Sequence, residues 1–258
     1  MIDWDKVPGE VITVISDIHS NARALKAVSD TVKQKRTDQL VILGDIFTYG
    51  IDTRETADMV QKYIDDGAWL LMGNHDQIYL ELISGNTKTL DKLRPDLKES
   101  ITYNMDRLDE KQFISWHWQR QITHQKILFS HANPFGDLWG YINDIYDFQA
   151  AAKAVQHAGQ IAGVFGHTHR DRYFSTKNPN LTSIEGLSDD VFVLNPGSVG
   201  QPRSTPRRAT ILRLSSHNDR LWAEIEPVDY DMQAHIDDLI SSPLSEATKT
   251  ILTSFFRE

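Results

Sequence analysis

The stretch that decides the fold is Val11-Ile12-Thr13-Val14-Ile15-Ser16-Asp17-Ile18-His19-Ser20-Asn21. Its β-branched run reads as a buried strand over residues 11–16, and Ser20 or Asn21 can cap the helix suggested by an Ala/Leu/Val pattern running to Val32. A strand thus feeds a helix, and the unit recurs. Residues 40–43 give a second apolar strand ending at Gly44, residues 53–65 a helical pattern and residues 69–72 a third strand. Strands alternating with helices imply parallel pairing through right-handed crossovers.

Over residues 77–124 the β signal disappears. The groups Tyr79/Leu80/Ile83, Leu97/Ile101/Met105 and Phe113/Trp116 fit short helices, so this segment is expected to form a helical cap insertion. Strand character returns at residues 126–130, 161–165, 191–194, 209–214 and 221–225, with a helix over 146–157, so the second half contributes its own sheet. Helices are expected at 232–240 and 244–256, separated by Pro243, in a C-terminal tail over 231–258 that packs on the outside or against a partner. Residues 175–190 are polar, contain Pro179 and Gly186, and are expected to be a loop. No internal repeat or interdomain linker stands out, and the 258 residues read as one α/β domain.

Composition narrows the chemistry. Lys and Arg total 27 against 36 Asp and Glu, a formal charge of −9 that disfavours a broad nucleic-acid footprint. A phosphate group would have to be attracted locally, and a bound dication is one source of such a field. With no cysteine, disulfides, thiolate nucleophiles and thiolate metal sites are excluded. Metals would have to use His, Asp, Glu, Asn or backbone oxygen. The acidic start lacks a signal-peptide pattern, and no apolar run approaches the roughly 20 residues that span a bilayer, so a cytoplasmic protein without membrane partners is expected.

Metal-capable residues directly follow predicted strands at five places: Asp17 and His19, Asp45, Asn74 and His75, His131, and His167 and His169. Ligand sites of α/β sheets lie at the carboxyl ends of strands, so these positions can converge. Residues two apart in extended chain point to one side, which lets each of the pairs Asp17/His19 and His167/His169 face one cluster. Mixed imidazole and carboxylate donors suit Mn, Fe, Zn, Ni or Co better than calcium.

These residues resemble a family. Ser16-Asp17-Ile18-His19, Gly44-Asp45, Gly73-Asn74-His75-Asp76, Ser130-His131 and Gly166-His167-Thr168-His169 are similar to the ordered motifs of calcineurin-like metallophosphoesterases, and Asn195-Pro196-Gly197-Ser198 is similar to an element of their small prokaryotic phosphodiesterase branch. The resemblance implies a four-layer αββα sandwich of two mixed sheets flanked by helices. It implies two divalent or trivalent transition-metal ions, one held by Asp17, His19, Asp45 and His169, the other by Asp45, Asn74, His131 and His167, with Asp45 as the bridge. The reaction implied is in-line attack on phosphorus by a hydroxide generated between the ions. The catalytic histidine falls on His75, which would contact substrate or protonate the leaving group.

The pattern departs from the phosphoprotein phosphatase branch, where an Asp-Arg-Gly motif stands at the position of Thr48-Tyr49-Gly50. The acid that orients the catalytic histidine and a phosphate-binding arginine are thereby missing, and Asp76 replaces a Glu, leaving Asp76 as the candidate to orient His75. A small phosphodiester, nucleotide or phosphomonoester therefore fits better than a phosphoprotein.

Each motif alone has a structural reading. Asp and Gly make turns, and a lone His is usually a satisfied polar residue; the ordered set favours chemistry. His117, His124, His157, His217 and His235 are assigned to surface or partly buried positions, and Trp116, His117 and Trp118 to core packing rather than base stacking. Arg203, Arg207 and Arg208 either clamp a phosphate or belong to a solvated loop. Asn21, Asn195 and Arg203 are the candidate substrate contacts, Asn21 being also a natural helix cap. A metal-dependent nuclease, or a binding scaffold that retains the fold, are the rival functions; the oligomeric state is open.

Overall fold

A computed structural model describes residues 2–178 and 181–257. Along the chain, β1 (Ile12–Ile15), α1 (Ala22–Lys33), β2 (Gln39–Ile42), α2 (Thr53–Asp65), β3 (Trp69–Leu70) and α3 (Asn74–Ile83) alternate as the apolar pattern predicts. A 3-10 turn (Leu90–Lys92), α4 (Pro95–Met105) and α5 (Glu110–Ser115) follow. The second half holds β4 (Gln121–His124), β5 (Ile127–Ser130), α6 (Ile145–His157), β6 (Ala162–Phe165), β7 (Arg172–Ser175), β8 (Ile184–Leu187), β9 (Phe192–Asn195), β10 (Ala209–His217), β11 (Arg220–Val228), α7 (Met232–Ser241) and α8 (Glu246–Ser254).

The strands form a six-stranded sheet in the order β3-β2-β1-β10-β11-β8 and a five-stranded sheet in the order β4-β5-β6-β9-β7. Both are mixed: β1, β2 and β3 pair in parallel, as do β5, β6 and β9, while β10, β11 and β8 on one sheet and β4 and β7 on the other run antiparallel. The pleat explains the layering, because neighbouring side chains leave opposite faces. Ile12, Val14, Val41 and Leu43 meet Ile127, Phe129, Val164 and Leu194 between the sheets. Ile15 and Ile42 face the helices outside the first sheet, with Leu25, Val28 and Val60; Leu128, Phe165 and Val193 face α6, with Phe148, Ala152 and Val155. Helix, sheet, sheet and helix are the four layers.

Sequence patterning misses three short strands. Residues 77–124 are helical up to α5 but end in β4, a half-exposed edge strand antiparallel to β5. Polar Arg172 and Tyr173 hide β7, and β8 lies in the stretch expected to be a loop, paired with β11. β4 and β8 bury one face at most, and all three strands lack the apolar run that marks a central one. Pro179, part of that expectation, lies outside the described residues. Trp116 does enter the core, its ring stacked at 6.2 Å on Phe47, and His117 is exposed.

The helices outside the sheets are tied to the loop that follows β2. The Asn104 side-chain oxygen accepts from the hydroxyls of Ser20 (2.5 Å) and Thr53 (2.8 Å), and its amide donates to the Gly50 carbonyl (3.0 Å). The Tyr49 amide donates to the Ser100 hydroxyl at 2.8 Å. The α7/α8 pair buries Ile236, Leu239, Leu252 and Phe256 against one another, and Tyr49, Ile51 and Tyr103 pack on that cluster. Among the described residues, no helix is long and apolar enough to cross a membrane.

His235 corrects one expectation: it is 1 % exposed, edge-on to Phe256 at 5.1 Å. Burial pushes it down to about 4 from its ordinary 6.5. The unfolded chain therefore binds the extra proton between those values, so this stabilising contribution is complete above pH 6.5 and fades as pH falls toward 4. The full amplitude is about 3 kcal/mol. Chemical denaturation across this window is expected to lose stability less steeply in His235→Leu than in wild type; identical slopes would show that His235 does not carry the effect.

Candidate metal centre

Every sequence-predicted metal position sits where a strand ends. Asp17 and His19 follow β1, Asp45 follows β2, Asn74 and His75 open α3 after β3, His131 follows β5, and His167 and His169 follow β6. The carboxyl edges of both sheets thus point into one place. Asp17, His19, Asp45 and His169 form one group of potential ligands and Asp45, His131 and His167 a second, with the donor atoms in each group within 4.8 Å of one another. Asn74 joins the second group through its oxygen, 3.2 Å from His131 Nε2. Asp45 belongs to both.

The polar bonds around the cluster leave one atom of each ligand aimed inward. His19, His131 and His169 each donate from Nδ1 to a backbone carbonyl, of Phe47 (2.9 Å), Leu43 (3.0 Å) and Gln201 (2.9 Å) respectively. A carbonyl accepts only, so Nδ1 carries a proton and Nε2 is the atom that faces the cluster, with a lone pair to offer whenever the ring is neutral. Asp17 Oδ2 is held by the Ser16 hydroxyl (2.6 Å) and the His167 amide (3.1 Å), while Oδ1 is buried without a hydrogen-bond donor. Asp45 Oδ1 takes the His75 amide at 2.9 Å, and Oδ2 lies 3.4 Å from His131 Nε2 and 3.8 Å from His19 Nε2. His167 Nε2 is also buried without a partner, and the Nε2 atoms of His19 and His169 face each other at 3.1 Å. Two lone pairs at that distance repel unless a cation stands between them, so the donor set fits metal ions.

The charges respond to this crowding. Burial opposes ionisation of Asp17 and Asp45, yet the neighbouring imidazoles, His169 for Asp17 and His131 for Asp45, outweigh it and hold both carboxyls below their usual range. His131, although burial works against it, is pushed up to about 9 by Asp45. Burial and then the charge of His131 bring His167 down to about 4. Positive charge is wanted at the cluster, and the chain's own protons supply it only unevenly.

Close backbone approach builds the bridge position. A Cβ on Gly73 would lie 2.0 Å from Asp45 Oδ1 and one on Gly44 2.4 Å from the Gly73 nitrogen, so both positions exclude a side chain. Asp17, His19, Asp45, His167 and His169 all adopt positive φ, between 49° and 65°. Such strain survives where surrounding bonds over-determine it. The Asp17 amide bonds the Gly44 carbonyl (3.1 Å), the His19 amide the Asp45 carbonyl (3.0 Å), and the Gly200 amide the Asp17 carbonyl (2.9 Å).

His75 is 5 % exposed, with Nε2 4.0 Å from Asp45 Oδ2 and Nδ1 buried without a partner. Burial lowers its pKa, with Asp45 pulling the other way. Asp76 departs from the orienting role expected for it: its carboxylate accepts the amides of Asp45 (2.7 Å), Ile46 (3.0 Å) and Gly73 (2.8 Å) and makes no hydrogen bond to His75. It holds the chain around Asp45 and is a positioning residue. Burial, then the charge of Asp45, push its carboxyl up to about 7, against those amides.

Two expected substrate contacts are turned inward. Asn21 caps α1 through the Ala24 amide (3.0 Å) and donates to the Gly200 carbonyl and the Tyr230 hydroxyl. Asn195 donates to the Gly166 carbonyl (2.7 Å) and the Thr168 hydroxyl (3.0 Å) and accepts the Gly197 amide (2.8 Å), fixing the turn that carries His167 and His169. Both are buried, so neither offers a free group. Arg203 does line the cleft beside the cluster; Arg208 instead pairs with Asp229, and Arg207 reaches backbone carbonyls.

The residues missed by sequence reasoning are aromatic. Tyr49 packs edge-on against His19 and His75 at 4.7 and 5.3 Å, and Tyr141 stacks on His167 at 4.1 Å. Burial pushes the Tyr49 phenol up to about 12, with Arg203 pulling it back, so it stays protonated. The signal for Tyr141 was available: Phe135-Gly136-Asp137-Leu138-Trp139-Gly140-Tyr141 is an aromatic, glycine-broken loop soon after His131.

Asp76→Asn is expected to lower stability by about 2–4 kcal/mol in chemical denaturation, since an amide replaces an acceptor of buried N–H groups. Unchanged stability with a displaced pH–rate profile would instead assign Asp76 to His75.

Comparison with known proteins agrees with this geometry. The model of the calcineurin-like phosphoesterase superfamily domain matches residues 11–219. The chain is 29% identical over 249 residues to the uncharacterized protein MJ0912 of Methanocaldococcus jannaschii, covering 92% of this chain and 94% of that protein. Among solved structures, a metallophosphoesterase from Sphaerobacter thermophilus superposes with a TM-score of 0.73 at 23% identity, covering 95% of this chain and 99% of its own. The hypothetical protein PH1004 from Pyrococcus horikoshii OT3 gives 0.75 at 17% identity, covering 95% and 98%. These two likenesses speak for the fold, and with the family match over residues 11–219 they identify the chain as a member of the calcineurin-like phosphoesterase superfamily.

Proposed function

We propose that this protein is a metal-dependent hydrolase of a small phosphodiester, nucleotide or phosphomonoester, with two transition-metal ions sharing Asp45. The observation that carries the reading is the pair of buried ligand groups with Asp45 in common. Asp17, His19, Asp45 and His169 would hold one ion, and Asp45, Asn74, His131 and His167 the other. Bound there, the ions would supply a water of lowered pKa and neutralise phosphoryl oxygens. Imidazole and carboxylate donors suit Mn, Fe, Zn, Ni or Co.

The chain's own groups supply the rest. His75 stands beside Asp45 with no competing partner on Nδ1, where its imidazole can pass a proton to the departing oxygen. A phosphate brought next to it favours the protonated imidazole. Tyr49 and Arg203 add a phenol and a guanidinium on the same side, and the carbonyls of Phe47, Leu43 and Gln201 hold the ligand rings in one tautomer. In this reading the 258 residues work as one domain, residues 77–124 being an insertion that braces the Tyr49 loop and residues 231–258 a tail that packs on it.

Purified protein is expected to cleave bis-p-nitrophenyl phosphate with added manganese and to stop after EDTA treatment. His75→Ala should keep its metal content and lose about 10²–10⁴-fold in turnover. Asp45→Asn should lose metal and activity together. Metal analysis beside the rates separates the two, and full activity in His75→Ala would remove the proposed donor.

A further inference from the structure

A cleft of ≈ 820 Å³ opens beside the cluster, lined among others by Tyr141, Thr168, Arg170, Arg172 and Arg203. Thr168 lies between the two histidines that follow β6 and Tyr141 stacks on one of them, so the cleft runs beside the candidate metal centre. Three features of its walls have no use in the chemistry above. Tyr141 rests one ring face on His167, nearly parallel at 27°, yet remains 50% exposed. A second flat group can stack on such a ring. Arg170 and Arg172 are exposed, and neither has a carboxylate within ion-pair distance among the described residues. Asp171, between them, is the one carboxylate on the cleft wall among the described residues. The chain carries −9 overall, so three guanidiniums against one acid make this a local reversal of sign.

Guanidinium forks match phosphate oxygens, and a single scissile phosphate facing the cluster needs no more than Arg203. Arg170 and Arg172 are then left for a second anionic group. The cleft volume is that of a small-molecule site, and the acidic chain disfavours a long polyanion. We infer that the substrate is a short nucleotide diester bearing a second, terminal phosphate, with a base on Tyr141, the diester between the cluster and Arg203, and the terminal phosphate on Arg170 and Arg172. This rests on the phosphoester hydrolase reading. The reaction balances with water alone: its oxygen bonds to the diester phosphorus and the bond from that phosphorus to the 3′ ribose oxygen breaks. That oxygen leaves with the electron pair and takes one proton, the other passing to solvent. A 5′-phosphorylated dinucleotide thereby yields two mononucleotides.

The test compares kcat/KM of the manganese-loaded full chain for a 5′-phosphorylated dinucleotide, the same dinucleotide without that phosphate, and bis-p-nitrophenyl phosphate. The phosphorylated form is expected to be preferred by about tenfold or more, roughly the effect of one charge-assisted contact, and the preference should shrink with added salt. Arg170→Gln/Arg172→Gln should erase it, and Tyr141→Leu should slow both dinucleotides, with Tyr141→Phe restoring them. A general structural defect would lower all three substrates alike and leave their ratios in place. Equal rates for the two dinucleotides in wild type, or a preference that survives in the folded double variant, would overturn the inference while hydrolysis of bis-p-nitrophenyl phosphate kept the enzyme reading intact. No hydrolysis of any of the three would end both.

Discussion

Acceptor atoms converging among buried side chains are the constraint from which the rest of this structure follows. Asp17, Asp45, His19, His131 and His169 bring their ligand atoms together on side chains that are almost wholly buried. Burying an ionised carboxylate is costly even where amides and a hydroxyl hold one of its oxygens, and here two stand beside several imidazole nitrogens. Cations resolve this, because they turn mutual repulsion into shared attraction. A structural explanation would have to account for the orphaned oxygen of Asp17 and the orphaned nitrogen of His167, and packing alone gives no reason to keep either.

Holding such a set requires more order than side-chain packing provides. Positive φ costs about 1–3 kcal/mol per residue, and Asp17, His19, Asp45, His167 and His169 all adopt it. The cost is offset by two apolar layers on each sheet, in which a fully buried Leu, Ile, Val or Phe contributes about 1.5–3 kcal/mol. Rigid strands deliver each ligand to the carboxyl edge, and cross-loop amides fix the last turn of chain. The three imidazoles tethered through Nδ1 show the same economy: a main-chain carbonyl cannot rotate away, so ring orientation is set by the fold itself.

Much of this was legible because the strands that carry the candidate ligands are central ones, apart from the edge strand β3 that precedes Asn74. β1, β2, β5, β6 and β9 are buried on both faces, so they read as continuous apolar runs, and an Asp or His just past such a run is conspicuous. Edge strands β4, β7 and β8 were invisible because polar residues interrupt any such run. Among the site residues, type and position sufficed for the metal-capable set, since each needs only to emerge at a strand end. Direction did not follow. Asn21, Asn195 and Asp76 stand in the right segments, but their side chains satisfy amides, carbonyls and hydroxyls inside the loops, and only coordinates reveal which way a short polar side chain turns. Tyr49 and Tyr141 were passed over for the opposite reason: an aromatic residue in a loop has no periodicity to give it away.

The departure at Thr48-Tyr49-Gly50 then gains a physical meaning. A phosphate held against two cations benefits from a guanidinium nearby, but nothing requires that guanidinium to come from the loop after β2. Arg203, from the segment after β9, is held by the Gln201 side chain at 2.6 Å and lies over the Phe255 ring at 5.2 Å. Phe255 in turn meets Tyr49 edge-on at 5.9 Å. Tyr49 stands as one aromatic wall beside that guanidinium, with Phe255 at the end of α8 supplying the other. The helices between β3 and β4 and those after β11 act on the same few residues: Asn104 and Ser100 grip the Tyr49 loop from one side and Phe255 from the other. In the proposed enzyme they would set the shape of the phosphate side of the cleft without touching a metal ligand, which is how a common metal-binding frame can acquire a substrate preference of its own.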